Sequence, residues 1–262
     1  MNDKIAVVTG ASSGIGWQLC LQLMELGYKV YGCSRRGTVP EGACGISMDV
    51  TDEQSVKNAF DFIVKKEGRL DLLINNAGFG LSGPVEFTKT EDFRQQMDVN
   101  FTGQFLCTKE VLPLMRRQKS GRIIFTGSVA GTIAIPFQAF YSTSKAAVCS
   151  MACALRNEVK EFGISVYCML PGDAATGFTD ARKKSIEESG VYIHSQSAVN
   201  AMEKDERSGM TPEYVARKVI KTLGRKNPPP MITIGNSYKL LMLLFKLLPA
   251  RLAYFIVGKM YS

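Results

Sequence analysis

A chain of 262 residues that is 45% hydrophobic and 21% charged is long enough for one large α/β domain with a buried core. Its net charge of +8 comes from scattered Lys and Arg rather than from a dense basic run with interleaved aromatics, which disfavours a nucleic-acid partner. A single histidine and seven cysteines without a C-x-x-C pair argue against a Ser-His hydrolase and against a zinc site, so we expect no metal.

The sequence predicts neither export nor a membrane span. Residues 1–4 lead directly into the apolar residues 5–8, without the basic region and long apolar segment of a secretory signal. No uncharged apolar run reaches the roughly 18 residues that a spanning helix needs. Most cysteines lie in apolar surroundings, as core residues in a reducing compartment do, so we expect a cytoplasmic protein that could still associate with a membrane.

The first predicted unit is a strand, a glycine-rich turn and a helix. Residues 5–9 form a β-branched apolar run typical of a buried parallel strand, and Gly10, Gly14 and Gly16 follow in the spacing G-x-x-x-G-x-G. A helix then runs to Gly27. Glycines permit positive φ and let a phosphate approach backbone N–H groups closely, so this context favours a dinucleotide site over a purely structural turn.

The second predicted strand, residues 28–34, ends in Ser34, Arg35 and Arg36. Dinucleotide-binding folds often place an acidic residue here against the ribose 2′-hydroxyl. This sequence instead carries two guanidinium groups, which favours a 2′-phosphate because arginine binds phosphate through two hydrogen bonds and stays charged. The alternative is that both arginines are solvated loop residues.

Two further strands are predicted at residues 43–48 and 70–74, with a helix between them that starts in a capping box at residues 51–54. The later strand runs into Asn75-Asn-Ala-Gly78. Polar and small residues at the carboxyl end of a parallel strand are where ligands bind in open α/β sheets. We therefore expect this turn to line the same cleft as the glycine-rich turn.

A long helical stretch is predicted over residues 91–118, where Pro113 should kink or break the helix. Asn100 lies in this stretch among apolar neighbours, and an amide in such surroundings usually has a partner or a role. A fifth strand at residues 122–126 then ends near Ser128.

The remaining units complete the predicted sheet. A helix around residues 141–163 precedes a sixth strand at residues 164–170, which ends in Pro171-Gly172, and a seventh strand covers residues 230–234. Repeated strand–helix units of this kind predict a doubly wound parallel sheet of about seven strands with right-handed crossovers. The carboxyl ends of its strands should converge on one cleft.

Two segments depart from the strand–helix pattern. The polar residues 176–210 predict a mobile helical flap inside the main domain, residues 1–235. The extension 236–262 is apolar but punctuated by basic residues and Pro249, so it is too broken to span a membrane. It could lie on a membrane surface, cover the substrate cleft, or pack within the protein or its oligomer, and packing is the favoured reading.

Tyr141 and Lys145 share one face of the predicted helix because they are four residues apart. A free phenol has a pKa near ~10, and an adjacent ammonium group should lower that pKa by favouring the phenolate. The pair is therefore a candidate general acid and base. The same spacing also arises by chance on solvated helix faces, so the pattern is weak by itself.

Together these motifs resemble the short-chain dehydrogenase/reductase family over about residues 1 to 235. The resemblance implies a single Rossmann-type domain and an oxidoreductase. Residues 121–131 and 136–141 resemble more narrowly the hydroxysteroid and retinol dehydrogenase branch. The motifs that agree in order and spacing are Thr9-Gly-Ala-Ser-Ser-Gly-Ile-Gly16, Asn75-Asn-Ala-Gly78, Asn100, Ser128, Tyr141-x-x-x-Lys145 and Pro171-Gly-x-x-x-Thr176.

The resemblance implies a role for each matching side chain. Tyr141 would be the acid and base, and Ser128 would hold the substrate oxygen. Lys145 would bind the nicotinamide ribose and lower the pKa of the tyrosine. Asn100 would hold a water that links Lys145 to solvent. Thr176 would hold the carboxamide and fix which face of the nicotinamide delivers hydride.

The same resemblance implies NADP(H) as the cofactor, with Arg35 at a position typical of NADP-preferring members. The substrate would contact Ser128 and Tyr141. Outside the resemblance, Phe178 and His194 are further candidates, although a surface position is the favoured reading of His194. The residues expected to contact the cofactor are Gly10, Ser12, Ser13, Gly14, Ile15, Gly16, Ser34, Arg35, Arg36, Asp49, Val50, Asn76, Ala77, Gly78, Tyr141, Lys145, Pro171, Gly172 and Thr176.

These expectations combine into one predicted function. The protein should interconvert a hydrophobic secondary alcohol and its ketone, with a hydroxysteroid or similar lipid-like molecule as the preferred substrate, and should form a homodimer or homotetramer. A 3-oxoacyl thioester reductase and a general carbonyl reductase are the alternatives among enzymes. An NADP-binding regulator without turnover is a remoter alternative.

Overall fold

A computed structural model describes residues 4–185 and 190–260, arranged around a seven-stranded parallel sheet. The strands are β1 Lys4–Thr9, β2 Tyr28–Ser34, β3 Cys44–Ser47, β4 Leu72–Asn75, β5 Leu81–Ser82, β6 Gly121–Thr126, β7 Ile164–Pro171, β8 Lys183–Lys184 and β9 Met231–Ile234. The order in this sheet is β3-β2-β1-β4-β6-β7-β9, while β5 and β8 form a separate two-stranded sheet.

The helices cover both faces of this sheet, which confirms the predicted doubly wound α/β architecture. They are α1 Gly14–Glu25, α2 Glu53–Glu67, α3 Thr90–Met97, α4 Gly103–Gln118, α5 Ala139–Glu158, α6 Ser195–Arg207, α7 Pro212–Thr222, α8 Asn236–Leu247 and α9 Ala250–Met260.

The core lies on both faces of the sheet because alternate residues of each strand point to opposite sides. In β1, Ile5 and Val7 belong to the cluster shared with α2, α4 and α5. Ala6 and Val8 belong to the cluster shared with α1 and α7. All four side chains are buried, so the strand is a continuous apolar run rather than an alternating one.

Two predicted helix boundaries are wrong in detail. The helix predicted to start in a capping box at Thr51 begins at Glu53, and Asp52 is the N-cap that accepts hydrogen bonds from the backbone N–H groups of Gln54 and Ser55. The stretch 91–118 is not broken at Pro113, which lies inside α4. It is interrupted instead by a π-helical turn, Asp98–Thr102.

The predicted flap is tied to the body of the protein at its start. β8 pairs in parallel with β5, and the aligned partners are Leu81 with Lys183 and Ser82 with Lys184. Residues 186–189 of the predicted flap lie outside the described residues. The flap then continues through α6, whose buried side chains include Ala198, Val199 and Met202.

The apolar extension forms two helices, α8 and α9, that pack against the loop after β6. Tyr238, Leu241 and Phe245 of α8 contact a small cluster made of Val129, Ile133 and Val257. Within the described residues, no helix is both long enough and apolar enough to cross a membrane. The cytoplasmic location stays a prediction.

Candidate active site

The carboxyl ends of the parallel strands open into one cavity of about 870 Å³. Its walls come from the turn after β1, the ends of β2, β4, β6 and β7, the first turns of α5 and the start of the flap. Side chains from α6, α8 and α9 complete the outer wall. Motifs that are far apart in the sequence therefore meet in one cavity, as expected at the carboxyl ends of the strands of a parallel sheet.

The glycine-rich turn fits a dinucleotide phosphate. Gly10 and Gly14 have positive φ angles of 67° and 55°, which glycine adopts without strain. A Cβ at Gly16 would lie 2.2 Å from the carbonyl oxygen of Gly10, so only glycine permits this packing. Ser13 is the N-cap of α1, and Gly14 and Ile15 line the cavity, so the N-terminus of that helix is available to an anion.

The turn after β4 is held against this glycine-rich turn by Thr9. Its Oγ1 accepts hydrogen bonds from the backbone N–H groups of Asn76 and Ala77, at 2.9 Å and 3.0 Å. The Asn76 side chain donates in return to the carbonyl oxygen of Thr9 at 3.0 Å. Asn76, Ala77 and Gly78 all line the cavity, in the positions predicted for cofactor contact.

The predicted 2′-phosphate site is only partly assembled. Ser34 and Arg35 line the cavity, whereas Arg36 is exposed and lies outside the lining, so its cofactor contact stays a prediction. Neither guanidinium forms a salt bridge with a carboxylate in the part of the chain that the structure describes. Asp49 and Val50 also line this part of the cavity.

Ser128, Tyr141 and Lys145 meet in the centre of the cavity. Ser128 caps the short helix Val129–Gly131, and its Oγ accepts a hydrogen bond from the backbone N–H of Ala130 at 3.1 Å. The Lys145 Nζ donates to the carbonyl oxygen of Thr126 at 2.8 Å and lies 5.8 Å from the centroid of the Tyr141 ring. The predicted Ser–Tyr–Lys group is therefore assembled on β6 and α5.

The pKa of Tyr141 differs from the expectation. Burial of the hydroxyl raises the pKa of Tyr141 to about 12, and the hydrogen bond with Ser128 offsets only part of that rise. Burial also lowers the pKa of Lys145 to about 8. Burial therefore outweighs the lowering of the Tyr141 pKa that is expected from the Lys145 ammonium. Its ammonium group faces the Tyr141 ring and the Thr126 carbonyl.

Asn100 is fully buried in the π-helical turn and bridges the turn after β4 to α5. Its Oδ1 accepts from the backbone N–H of Phe79 at 3.0 Å, and its Nδ2 donates to the Phe79 carbonyl at 3.0 Å and to the Ser144 Oγ at 3.1 Å. A Cβ on Gly78 would lie 3.1 Å from Oδ1 of Asn100 and 3.5 Å from Nζ of Lys145. Glycine thus keeps open the space between these two side chains.

The flap brings a second aromatic ring onto Tyr141. Phe178 packs edge-on against the Tyr141 ring with the centroids 5.6 Å apart, and its backbone N–H donates to the Oγ1 of Thr176 at 3.2 Å. Both flap residues line the cavity, as do Pro171 and Gly172. His194 does not: it is exposed at the N-cap of α6 and outside the lining, which agrees with the favoured reading of a surface histidine.

The carboxylates in the cavity were missed by sequence reasoning. Asp173, Asp205 and Glu206 line it. Glu206 forms a buried ion pair with Arg182, and Asp173 accepts a hydrogen bond from the Tyr238 hydroxyl at 2.5 Å. Burial raises the pKa of both Asp173 and Glu206. No local motif marks these residues, because they become neighbours only through the fold of the flap.

Comparison with known proteins agrees with this geometry. A family model described as "short chain dehydrogenase" matches residues 4–187. A 3-ketodihydrosphingosine reductase of Bacteroides thetaiotaomicron is 39% identical over 92% of this chain and 91% of its own length. The 3-oxoacyl-[acyl-carrier-protein] reductase MabA of Mycobacterium tuberculosis is 32% identical over 73% of this chain and 77% of its own.

Solved structures give the same result. A short-chain dehydrogenase from Streptomyces avermitilis superposes with a TM-score of 0.82 at 28% identity and covers 91% of this chain and 90% of its own. ElxO with NADP bound gives a TM-score of 0.73 at 27% identity, covering 90% and 98%. A Burkholderia phymatum protein in complex with NAD gives 0.81 at 24% identity, covering 94% and 93%, and shares the fold.

Proposed function

The chain belongs to the short-chain dehydrogenase family of oxidoreductases, and we propose that it is an NADP(H)-dependent reductase of a hydrophobic, lipid-like ketone. The observation that carries this proposal is the group of Ser128, Tyr141 and Lys145 in a cavity whose outer wall includes the apolar Leu241 and Val257. A reactive polar centre with an apolar vestibule suits a carbonyl on an aliphatic or ring skeleton.

The chemistry divides between cofactor and protein. A bound nicotinamide cofactor supplies the hydride. Ser128 and Tyr141 donate hydrogen bonds to the substrate oxygen as negative charge develops on it. Tyr141 then gives up its proton to that oxygen, because a phenol is protonated at neutral pH. Lys145 and a water held by Asn100 then return a proton from solvent to Tyr141. The space that Gly78 leaves between Asn100 and Lys145 supports this relay.

Tyr141→Phe tests this assignment. The variant removes one hydroxyl and keeps the ring that packs on Phe178, so it should fold and bind NADPH like the wild type. We expect the rate of ketone reduction to fall by at least 10²-fold, the lower end of typical acid–base contributions. A variant as fast as the wild type would refute the mechanism. Wild-type protein that binds NADPH and turns over no carbonyl compound would favour the regulator.

Arg35 supports NADP(H) over NAD(H). It lines the cavity beyond the end of β2 without a salt bridge to any described carboxylate, and a 2′-phosphate would supply the missing partner. Arg35→Ala should lower the kcat/KM ratio for NADPH over NADH by about tenfold or more, as expected for loss of a charge-assisted pair. Arg36→Ala is the matched control, because Arg36 lies outside the lining. Equal effects of the two substitutions would contradict the assignment.

Among lipid-like ketones, we favour a long-chain amino ketone. The Bacteroides thetaiotaomicron relative carries the name of a 3-ketodihydrosphingosine reductase, and that substrate is a long-chain ketone with an adjacent amine. Asp173 and Asp205 give the cavity carboxylates that attract a cationic group, whereas Glu206 is already paired with Arg182. Coulomb repulsion from the same carboxylates disfavours an anionic acyl carrier, although MabA makes a 3-oxoacyl thioester the second candidate.

A substrate panel separates these classes. NADPH oxidation would be followed with a long-chain 2-amino ketone, its uncharged analogue without the amine, a ketosteroid and a 3-oxoacyl thioester. We expect the amino ketone to have the highest kcat/KM and the thioester the lowest. A ketosteroid ahead of both chain ketones would restore the hydroxysteroid prediction.

The predicted homodimer or homotetramer stays a prediction, for which the exposed Phe105 on α4 offers an apolar contact point.

A further inference from the structure

The outward side of α8 is an apolar stripe without a partner among the described residues. Leu240, Leu243, Leu244 and Leu247 follow the i, i+3, i+4, i+7 spacing of one helix face, and their exposed fractions run from 48% to 72%. On a helix of a soluble domain this stripe would normally face the core. Here the core-facing positions are Tyr238, Leu241, Met242 and Phe245 instead.

The outward side of α9 repeats this arrangement. Leu252, Phe255, Ile256 and Met260 have exposed fractions between 41% and 62%, whereas Ala253 and Val257 on the opposite side are buried. Phe245 and Tyr254 pack edge-on across the two helices, so the stripes belong to one paired element. We call the eight exposed residues the apolar outer face; they are Leu240, Leu243, Leu244, Leu247, Leu252, Phe255, Ile256 and Met260.

The charges around the apolar outer face have one sign. Lys239 and Lys246 on α8, and Arg251 and Lys259 on α9, are all exposed. The sequence of 236–262 contains no Asp or Glu. A second copy of this chain docked face to face would bring four cations against four cations. An anionic surface with an apolar interior is the complementary partner, and a bilayer that contains anionic lipid is such a surface.

The same two helices border the cavity. Leu241, Val257 and Met260 line it, and Met260 is also part of the apolar outer face. A molecule that lies on the apolar outer face is therefore adjacent to the mouth of the cavity. A lipid-like substrate could therefore pass from a bilayer to the cavity without entering bulk water. Such a path would explain why these leucines are exposed, which packing within the protein does not.

We propose that α8 and α9 form a membrane-docking surface that lies in the headgroup region of an anionic bilayer and turns the cavity mouth toward the lipid. The apolar outer face enters the boundary between headgroups and acyl chains. Lys239, Lys246, Arg251 and Lys259 bind lipid phosphates around it. This inference concerns binding alone, so it holds or fails independently of the proposed reaction.

Cosedimentation of the full chain with vesicles, without substrate or cofactor, tests the proposal. We expect binding to vesicles of two parts phosphatidylcholine to one part phosphatidylglycerol, weaker binding to pure phosphatidylcholine, and loss of the difference at high salt. Leu244→Ser combined with Phe255→Ser should weaken partitioning at least tenfold, because both apolar side chains leave the lipid. Phe62→Ser on α2 is the control, since Phe62 is 53% exposed outside the surface, and it should bind like the wild type.

The charge variants distinguish lipid from self-association. Lys246→Glu should weaken binding to the anionic vesicles by about fivefold or more, since each cation near such a surface contributes on this scale. Lys65→Glu, on α2, should leave it unchanged. Absence of vesicle binding by the wild type would overturn the proposal. So would a change of oligomeric state in Leu244→Ser/Phe255→Ser, measured by sedimentation velocity without vesicles, because the face would then be an interface between copies.

Discussion

Replacing Lys145 by methionine should stabilise the protein while abolishing its activity. Lys145 is 3% exposed, and burial lowers its pKa from 10.5 to about 8. A pKa lowered by this amount means that the charged ammonium destabilises the folded state by roughly 3 kcal/mol. Methionine fills a similar volume without that charge. The lost hydrogen bond to the Thr126 carbonyl offsets about 1 kcal/mol, so we expect a net gain of about 2 kcal/mol at pH 7.

The pH dependence of this gain follows from linkage. Below pH 8 the lysine is protonated in both folded and unfolded chains, and the folded state carries the full penalty. Between pH 8 and pH 10.5 the unfolded chain binds one more proton than the folded chain, so the wild type becomes more stable as pH rises. The variant lacks this proton. The stability difference between variant and wild type should therefore shrink by about 2 kcal/mol or more from pH 7 to pH 10.

Urea unfolding followed by circular dichroism at pH 7, 8, 9 and 10 measures this difference. Cys149 and Cys168 lie beside Lys145, and the Lys145 charge helps to lower the pKa of Cys149, so the comparison is repeated in a Cys149→Ala background. Lys65→Met, at an exposed helix position, should give the same difference at every pH. A Lys145→Met stability difference that stays constant across this range would refute the reasoning, because it would mean that burial does not lower the pKa of Lys145 and that the folded and unfolded chains bind its proton equally.

Three further outcomes are expected. Gly16→Ala should abolish cofactor binding and destabilise the folded protein by about 1 to 3 kcal/mol, because its Cβ would lie 2.2 Å from a backbone oxygen. Gly258→Ala is the control, since Gly258 has open space around it, and it should have neither effect. Equal shifts of the thermal unfolding midpoint in the two variants would contradict this prediction. Glu206→Gln should lower the free energy of unfolding by about 3 to 5 kcal/mol, because it leaves Arg182 buried and unpaired. Adding Arg182→Met should recover much of this loss in the double variant. Additive losses in a double-mutant cycle would refute the coupling between the two residues. Asp52→Ala should cost about 1 kcal/mol in urea unfolding through loss of the α2 cap, and no change would mean that another group satisfies those N–H donors.

The parts of the fold that local chemistry determines could be predicted from the sequence. Continuous apolar runs that end in small or polar residues predict buried parallel strands, and the strand ends then fix one edge of the sheet as the site. Gly10, Gly14 and Gly16 are specific because two need positive φ and the third excludes any Cβ. Tyr141 and Lys145 follow from helical spacing together with the motifs around them.

The details that depend on distant contacts could not be predicted. Thr51 and Asp52 are both good N-caps, and only the folded register shows that the Asp52 carboxylate reaches two backbone N–H groups. The π-helical turn shows the same limit. An apolar stretch around Asn100 indicates a special role, but only the fold shows its partner: the Phe79 N–H donates to Oδ1 of Asn100, and the Phe79 carbonyl accepts from its Nδ2.

The contacts that the flap makes, and the electrostatics of the site, could not be predicted for a related reason. Phe178, Arg182 and Glu206 are spread over 29 positions and form one cluster only when α6 folds back over the cavity. The sign of a pKa shift depends on burial as well as on neighbours, and burial is not visible in a motif. The spacing of Tyr141 and Lys145 predicts attraction between them, whereas the folded protein shows that desolvation outweighs it.

Desolvation explains why the two central groups have opposite pKa shifts. The same burial keeps the Tyr141 phenol neutral and makes the Lys145 ammonium costly. A neutral phenol is the form that can donate a proton to a substrate oxygen, so the protein at rest holds the acid rather than the base. The same groups serve ketone reduction and alcohol oxidation, because an enzyme lowers one barrier that both directions share. A preference for reduction would therefore come from the proposed binding of NADPH at Arg35 and not from the pKa of Tyr141.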